Sequence, residues 1–267
     1  MILKNVIKEA WFLSNGYIDS HSSIDLLEQK YIKYNLPVLG QFKHIAVATT
    51  YSVFSDSLVE RHERLWKSYF PNCHIINIEK NRGHGFGIAD SENALVNLCK
   101  SKGGKWALKS SNDVIFNRSI LDINTPDTDF IYLNGFKVED FKSYNFNYVR
   151  HYNDYFYPQT NFYFIRADKI NYLYNEDYIN ETYEYVKTIK DYNNCTWDYI
   201  DGWSCENFLK QCVKRNDLKK HYLLDREYHI KLCKFIRGMR VLDPAHKNMM
   251  ISGICHLQFP EERIHYI

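Results

Sequence analysis

The sequence predicts an α/β fold in which helices flank a mostly parallel central sheet. Three short apolar, β-prone runs, at residues 44–50, 74–78 and 106–109, alternate with two amphipathic stretches. This alternation is typical of a parallel sheet, because a parallel connection needs a long crossover that is usually a helix. The chain has 267 residues, of which 45% are hydrophobic, so it is long enough to bury one sizeable core.

The N-terminal segment predicts a helical extension in front of this sheet. Its apolar residues recur at helical spacing, which is interrupted at Asn15–Gly16 and ended at Leu36–Pro37. We therefore assign residues 1–40 to an N-terminal helical extension and residues 41–267 to one domain without a Pro-, Gly- or Ser-rich linker. We expect that domain to have two halves, residues 41–135 and residues 136–267.

Local signals place the other elements in order. Ser55 is a suitable N-cap for a helix that stops at Pro71, and Gly103–Gly104 ends the next helix. In the second half, aromatic and β-branched runs predict strands, and apolar residues at helical spacing predict helices. The further predicted strands are residues 130–133 and 162–165, and the further predicted helices are residues 88–100, 176–190 and 204–215.

Composition and charge exclude several classes of protein. There are 34 Lys and Arg against 32 Asp and Glu, a net charge of +2, whereas a dedicated nucleic-acid binder usually has a clear basic excess. No stretch approaches the roughly 18 apolar residues of a membrane span, and the charged N-terminus lacks the apolar core of a signal peptide. The seven Cys form no Cys-x-x-Cys pair, which favours reduced thiols. We expect a cytoplasmic protein with no nucleic-acid partner and no membrane span.

Three polar clusters follow the predicted strands at their carboxyl ends. They are Thr49–Tyr51, Glu79–Asn81 and Ser110–Asp113. Ligands bind at the carboxyl ends of the strands in an open parallel sheet. We therefore expect the three clusters to converge on one binding site.

The second cluster leads into a loop that contains Gly83, Gly85 and Gly87. Alternate glycines let a ligand approach the backbone, and the N-terminus of the following helix favours a phosphate. His84 is either a further phosphate contact or a solvent-facing residue. The spacing matches neither a Rossmann dinucleotide loop nor a P-loop, and a flexible turn is the alternative interpretation.

Asn112–Asp113 places one carboxylate at the end of the third predicted strand. A carboxylate there can hold a divalent ion that neutralises a leaving diphosphate. The alternative is an Asx turn that closes the strand, for which Asn and Asp are well suited.

Taken together, these features resemble the donor half of inverting GT-A glycosyltransferases of the family 2, rhamnosyltransferase-like type. The similar segment runs from Asn81 through the glycines to Asn93, continues as a helix, and includes a strand that ends in Asn112–Asp113–Val114. The resemblance covers about residues 44–120 of this sequence.

Two later segments extend the resemblance with lower specificity. Asp201-Gly-Trp-Ser-Cys-Glu206-Asn207 is similar to the Gly-Trp-x-x-Glu-Asp segment that carries the catalytic base in several GT-A families. His256 is placed like the late metal-binding His that some of these enzymes use.

The resemblance implies a Rossmann-like, GT-A-like sheet with a nucleotide-sugar-binding first half and an acceptor-binding second half. It implies inverting transfer of a hexosyl group from a nucleotide-diphosphate sugar to a glycan or other hydroxyl acceptor, with Mn²⁺ or Mg²⁺ as cofactor. Asp113 and His256 would hold the ion, and Glu206 would deprotonate the acceptor, with Asp201 and then Asp198 in reserve. The implied donor-binding residues are Thr49, Tyr51, Glu79, Asn81, Gly83, Gly85, Asn93, Asn112 and Asp113.

The chain departs from the family pattern in three places. Only the last acid of the Asp-x-Asp motif is present, in Ser111–Asn112–Asp113, which leaves the need for a metal open. Asn207 replaces the usual Asp of the base segment, so Glu206 is either the base or a helix-start acid that favours the helix dipole. The short connection between the strand at residues 44–50 and the glycine loop indicates that one βα unit is missing.

The aromatic segment around residues 155–164 is the candidate acceptor site. Gln159 and Asn161 can hydrogen-bond to sugar hydroxyls, and aromatic faces, including that of Trp203, can pack against the C–H face of a sugar. An aromatic core strand with a polar edge is the alternative interpretation.

Two other functions fit the same residues. A nucleotidyltransferase also uses a glycine-rich loop and metal-binding acids on an α/β sheet, and Arg82 would then have to meet a triphosphate. A degenerate transferase that only binds a nucleotide sugar or a glycan fits the incomplete acidic motifs.

Overall fold

The computed structural model of the chain describes residues 3–80, 82, 84–112, 114–116, 127–134, 158–171, 173–188, 205–222 and 254–256. Its α-helices are α1 Leu3–Val6, α2 His21–Leu26, α3 Lys33–Leu39, α4 Asp56–Tyr69, α5 His84–Ser101, α6 Glu176–Lys187 and α7 Cys205–Arg215. A π-helix at Leu27–Ile32 joins α2 to α3, and a 3-10 turn lies at Ala167–Lys169. The strands are β1 Ala10–Ile18, β2 His44–Tyr51, β3 His74–Ile78, β4 Trp106–Ser111, β5 Val114–Phe116, β6 Phe130–Asn134, β7 Pro158–Arg166, β8 Lys220–Tyr222 and β9 Ile254–His256.

Within the described ranges, seven strands form one central sheet in the order β3-β2-β1-β4-β7-β6-β8. β1 to β4 are mutually parallel, β7 is antiparallel to both β4 and β6, and β8 is parallel to β6. β5 and β9 form a separate antiparallel pair. The predicted α/β class with a mostly parallel central sheet is therefore confirmed.

Helices cover both faces of this sheet, as predicted. The residues that pack one face against α2, α3 and α4 include Phe12, Ile24, Ile45, Trp66 and Leu108. The residues that pack the other face against α5 and α7 include Leu13, Phe86, Leu95, Tyr163 and Leu209. β2 lies between the two layers and is buried along nearly its whole length, as is typical of a parallel strand covered on both faces.

The predicted helical extension is wrong for residues 10–18, which form the central strand β1. β1 pairs in parallel with β2 on one side and with β4 on the other. A strand buried on both faces has no polar alternation, so its apolar run also fits a helical spacing over a short window. The helical prediction holds for the crossover that follows β1, where Ser20 and Ser23 form a capping box at the start of α2.

The missing βα unit is thereby explained, because β1 and its helical crossover supply it. Most of the other sequence predictions are confirmed: the predicted strands correspond to β2, β3, β4, β6 and β7, and the predicted helices to α4, α5, α6 and α7. α5 begins at His84, inside the segment predicted as a glycine loop. The division into two halves at residue 135 stays a prediction.

The carboxyl ends of β1 to β4 define one edge of the sheet. Because β7 runs in the opposite direction, its first residues lie at the same edge, next to the end of β4, with Ser110 paired to Phe162. This edge is called the carboxyl edge below. No helix in the part of the chain that the structure describes is both long and apolar enough to cross a membrane.

Candidate functional site

The ends of β1 and β4 are joined at the carboxyl edge by a set of hydrogen bonds. The Asn112 backbone N–H donates to the Asn15 carbonyl at 3.0 Å, and the Ser111 hydroxyl donates to Asn15 Oδ1 at 3.2 Å. The Asn112 side chain packs on Gly16, where a Cβ atom would lie 2.5 Å from Asn112 Nδ2. A side chain at position 16 would collide with Asn112, so glycine is required there. These contacts hold Asn112 against β1.

The strand pair β5–β9 places His256, one of the two predicted metal ligands, opposite the residue that follows the other, Asp113, in the sequence. Val114, which follows Asp113, pairs directly with His256, although these residues are far apart in the sequence. The fully buried Asn35 of α3 donates from Nδ2 to the Val114 carbonyl at 2.9 Å, which fixes β5 to the first crossover. Asp113 and the side chain of His256 lie outside the described residues, and no cluster of three or more His, Cys, Asp or Glu is found within them.

Thr49 and Tyr51, two predicted donor-binding residues, point into a buried network behind β2. Trp66 Nε1–H donates to His62 Nε2 at 3.1 Å, and Thr49 Oγ1 lies 3.4 Å from the same nitrogen. The other ring nitrogen lies 3.2 Å from the Tyr51 hydroxyl, which donates to Asn77 Oδ1 at 2.8 Å. These hydrogen bonds join the carboxyl end of β2 to α4. A contact of either hydroxyl with the donor substrate stays a prediction.

His62 makes this network sensitive to pH. Burial lowers its pKa from 6.5 to about 4, so the imidazole stays neutral in the folded protein while it protonates in the unfolded chain below pH 6.5. Since only the unfolded state takes up the proton in this window, stability is complete above pH 6.5 and is lost as the pH falls towards 4.

We expect the free energy of unfolding to decrease between pH 7.5 and 4.5 by about 2–3 kcal/mol more in the wild type than in His62→Gln. Urea unfolding at the two pH values measures this difference. Glutamine keeps an acceptor for Trp66 but cannot titrate, so an equal loss in both proteins would contradict the assignment.

Three other predicted donor-binding residues have defined partners or positions. Asn93 is buried, and its amide donates to the Tyr174 carbonyl at 3.0 Å while accepting from the Tyr174 N–H at 2.8 Å, which fastens α5 to the segment before α6. The Gly85 carbonyl accepts from Cys205 Sγ at 2.8 Å and so joins α5 to the start of α7. Glu79 is exposed directly after β3 at the carboxyl edge.

Several predicted site residues cannot be placed. Asn81, Gly83, Asp201 and Trp203 lie outside the described residues, as does the reserve acid Asp198. Gln159 lies on β7, but its side chain is outside the described set, as is that of His84 at the start of α5. Their roles stay predictions.

Arg82 forms an ion pair with the carboxylate of Asp90. Its guanidinium is therefore not a free cation at the carboxyl edge. Its guanidinium forms a two-point ion pair with Asp90, including Nε to Oδ2 at 2.7 Å, and donates to Asn180 Oδ1 at 2.7 Å. It also lies 5.1 Å from the centre of the Tyr183 ring. Asp90 raises the pKa of this guanidinium further above its usual value.

Glu206 and Asn161 both lie near Thr160, at the β7 side of the carboxyl edge. Glu206 lies in the first turn of α7, half-buried, and its Oε1 accepts a hydrogen bond from Thr160 Oγ1 at 3.2 Å. The neighbouring Asn161 has a buried Oδ1 atom without a hydrogen-bond partner in the described part of the chain. A buried amide oxygen that accepts no bond is costly, and a ligand hydroxyl is a suitable donor for it.

A buried ion pair below the carboxyl edge was not predicted from the sequence. Lys109 Nζ lies 2.6 Å from Glu92 Oε1, and both side chains are at most 1% exposed. Glu92 Oε2 also accepts from the Tyr163 hydroxyl at 2.9 Å and from the Tyr174 hydroxyl at 2.5 Å. Burial and the Glu92 carboxylate hold the pKa of both phenols well above the usual value. The sequence signal for this ion pair is a lysine in the apolar strand β4 together with a glutamate on the buried face of α5.

Exposed apolar side chains at the carboxyl edge were also missed. Tyr17, next to the end of β1, is 51% exposed, and Val53 and Phe54, directly after β2, are 69% and 42% exposed. β1 and β2 are neighbours, with Tyr17 paired to Thr50, so this group lies on one side of the edge. Such aromatic faces are suitable for stacking with a planar ring.

The chain matches no protein-family model, and a search of curated proteins finds no match. Among solved structures it is similar to the galactosyltransferase LgtC in complex with donor and acceptor sugar analogues, at 11% identity and a TM-score of 0.45, over 94% of this chain and 88% of that one. It is also similar to core-mannan synthase A from Aspergillus fumigatus in a Mn/GDP form, at 9% identity and a TM-score of 0.46, over 79% and 72% of the two chains.

A nucleoside-diphosphate-sugar pyrophosphorylase from Vibrio cholerae is similar at 12% identity and a TM-score of 0.41, over 79% of this chain and 90% of that one. Similarities at these identities and TM-scores do not identify the reaction of this chain. The function proposed below therefore rests on its own residues, and the rhamnosyltransferase-like type stays a prediction.

Proposed function

We propose that the protein is a glycosyltransferase that moves a sugar from a nucleotide-diphosphate donor to a hydroxyl acceptor. The observation that carries this proposal is the pairing of Val114 with His256. Asp113, the acid of the Ser111–Asn112–Asp113 motif, directly precedes Val114 in the sequence. We therefore expect its carboxylate to lie close to residue 256 at the carboxyl edge, where ligands bind in open parallel sheets.

The two positions fit a divalent cation. A carboxylate and an imidazole suit Mn²⁺, and the buried Asn35 and the close-packed Gly16 hold Val114 and Asn112, the residues on either side of Asp113 in the sequence. A cation bound there would offset the negative charge that develops on a leaving diphosphate. In this proposal, Asp113 and His256 would be the chain's own ligands for the cation.

The donor base would lie on the other side of the same edge. Tyr17 and Phe54 are exposed there, and an aromatic face contributes about 1–3 kcal/mol when a base stacks on it. The donor would then extend along the edge from β1 and β2 towards residue 113, and its sugar would face β7 and α7.

The acceptor would bind at the start of β7. Asn161 Oδ1 would accept a hydrogen bond from an acceptor hydroxyl, because it has no hydrogen-bond donor among the described residues. Glu206 would take the proton from the attacking hydroxyl as it approaches the anomeric carbon from the side opposite to the diphosphate. Attack from that side gives inversion, which is part of the proposal.

A thermal-shift screen of nucleotide sugars tests donor binding. With Mn²⁺ and a donor at about 100 times its Kd, we expect a rise in Tm of about 5–10 °C, which EDTA abolishes. Nucleoside diphosphates alone show which base is recognised, and Mn²⁺ alone is the control. The absence of a rise with any nucleotide would contradict the proposal, and a rise that ignores EDTA would contradict the cation site.

The nucleotidyltransferase alternative is less well supported. It needs a cation in the glycine segment to meet a triphosphate, and the candidate, Arg82, is bound to Asp90 and Asn180. A protein that only binds a nucleotide sugar would give the thermal shift without turnover, and this distinguishes it from a transferase.

A further inference from the structure

We infer that Thr160 is the positioning residue for Glu206, and that the buried Lys109–Glu92 pair holds Thr160 in place. This inference rests on the proposed function, in which Glu206 accepts the proton of the acceptor. Thr160 would act on the reaction through Glu206, and the buried Lys109–Glu92 ion pair would connect the donor side of the proposed site with its acceptor side.

Thr160 is aimed at α7 by an irregularity of the sheet. Opposite β6, the register of β7 shifts between the pairs Tyr132–Tyr163 and Asn134–Pro158, so extra residues of β7 bulge there. Bulges of this kind redirect side chains near active sites. The Thr160 side chain is 6% exposed, and its hydroxyl donates to Glu206 Oε1 at 3.2 Å.

The Thr160 backbone is fixed in turn by Lys109. The three N–H donors of the Lys109 ammonium match three acceptors: the Thr160 carbonyl, the Ser111 hydroxyl at 2.9 Å and the Glu92 carboxylate at 2.6 Å. One buried cation therefore contacts both β4 next to Asp113 and β7 next to Glu206.

Glu92 keeps that cation in one geometry. Its carboxylate accepts from Tyr163 and Tyr174, and Asn15 Nδ2 lies 3.5 Å away. Three strands of the sheet, β1, β4 and β7, and two segments outside it thus converge on one compensated charge pair. Such a network is rigid when every member has its partner. The buried Lys109–Glu92 pair therefore fixes the spacing between Ser111 and Thr160.

The test compares Thr160→Val with Thr160→Ser. Valine keeps the volume and removes the donor to Glu206, so we expect kcat to fall by about 10–100-fold, with the donor Kd and Tm close to wild type. Serine keeps the hydroxyl and should restore kcat to within about threefold of wild type. Thr128→Val is the matched control, because Thr128 is 3% exposed and precedes β6 at the opposite edge of the sheet.

A double-mutant comparison separates positioning from a general structural effect. If Thr160 acts through Glu206, then Thr160→Val in a Glu206→Gln background should cause no further loss of kcat. Full kcat in Thr160→Val, or an undiminished further loss in the double variant, would overturn the inference. Full kcat in Glu206→Gln would instead overturn the base role in the proposed function, so the two failures are distinguishable.

A second variant keeps the inference testable if Thr160→Val does not fold. Replacing both charges together, as Lys109→Met with Glu92→Gln, avoids a buried unpaired charge and should fold. We expect the same 10–100-fold loss of kcat, about the effect of one hydrogen bond to a charged group. Wild-type kcat in this variant would contradict the role of the pair.

Discussion

Replacing Asp113 with asparagine is expected to lower kcat by at least about 100–1,000-fold and to remove the Mn²⁺ dependence of donor binding. The reason is that, in the proposed site, the variant loses the carboxylate that directly precedes Val114, the strand partner of His256, and electrostatic stabilisation of a developing charge has effects of this size. Initial rates at saturating donor, with and without EDTA, measure both changes.

The control for this variant is Asp127→Asn. Asp127 is 87% exposed and pairs with Lys219 on the surface, so its loss should leave kcat and Mn²⁺ dependence unchanged. Wild-type activity in Asp113→Asn would show that the leaving diphosphate is stabilised elsewhere.

Replacing Glu206 with glutamine is expected to lower kcat by about 100–10,000-fold, the usual contribution of a positioned general base. The amide keeps the size of the side chain and can accept a hydrogen bond from Thr160, but it cannot accept the proton of the acceptor hydroxyl. Donor binding, measured by thermal shift, should be unchanged because Glu206 lies on the β7 side of the edge.

This variant also separates the two interpretations of Glu206. An acid that only favours the helix dipole would contribute about 0.3–1 kcal/mol to stability and nothing to kcat. Glu176 lies exposed in the first turn of α6, and Glu176→Gln is therefore the matched control for that effect. Equal kcat in the two variants would leave Glu206 with a capping role alone.

Much of the fold could be predicted from the sequence because each signal was local. Ser55 and Pro71 bounded α4, Gly103–Gly104 marked the end of α5, and β-branched or aromatic runs marked β2, β3 and β7. β1 was missed because both of its faces are buried, so its apolar run lacks the alternation that marks a strand. The central position of β1 in the sheet is set by its pairing with β2 and β4, and a local sequence pattern does not indicate which strands pair.

The candidate site was predictable only as a region. Polar residues at the ends of β2, β3 and β4 indicated one edge of the sheet, and the role of Glu206 stays a prediction from the similarity of its segment. The direction of each side chain was not predictable, as Thr49 and Tyr51 show by bonding inward to His62. Long-range partners such as Lys109 and Glu92 were missed, because their pairing is set by how α5 packs on the sheet.

The most direct test of sugar transfer is to identify the products formed from the donor that gives the largest thermal shift. The protein would be incubated with that donor, Mn²⁺ and a panel of hydroxyl acceptors, and both the released nucleotide and the anomeric configuration of the new glycoside would be determined. We expect nucleoside diphosphate and a glycoside of inverted configuration, with EDTA stopping both. Release of pyrophosphate, or donor binding without any product over the whole panel, would contradict the proposal.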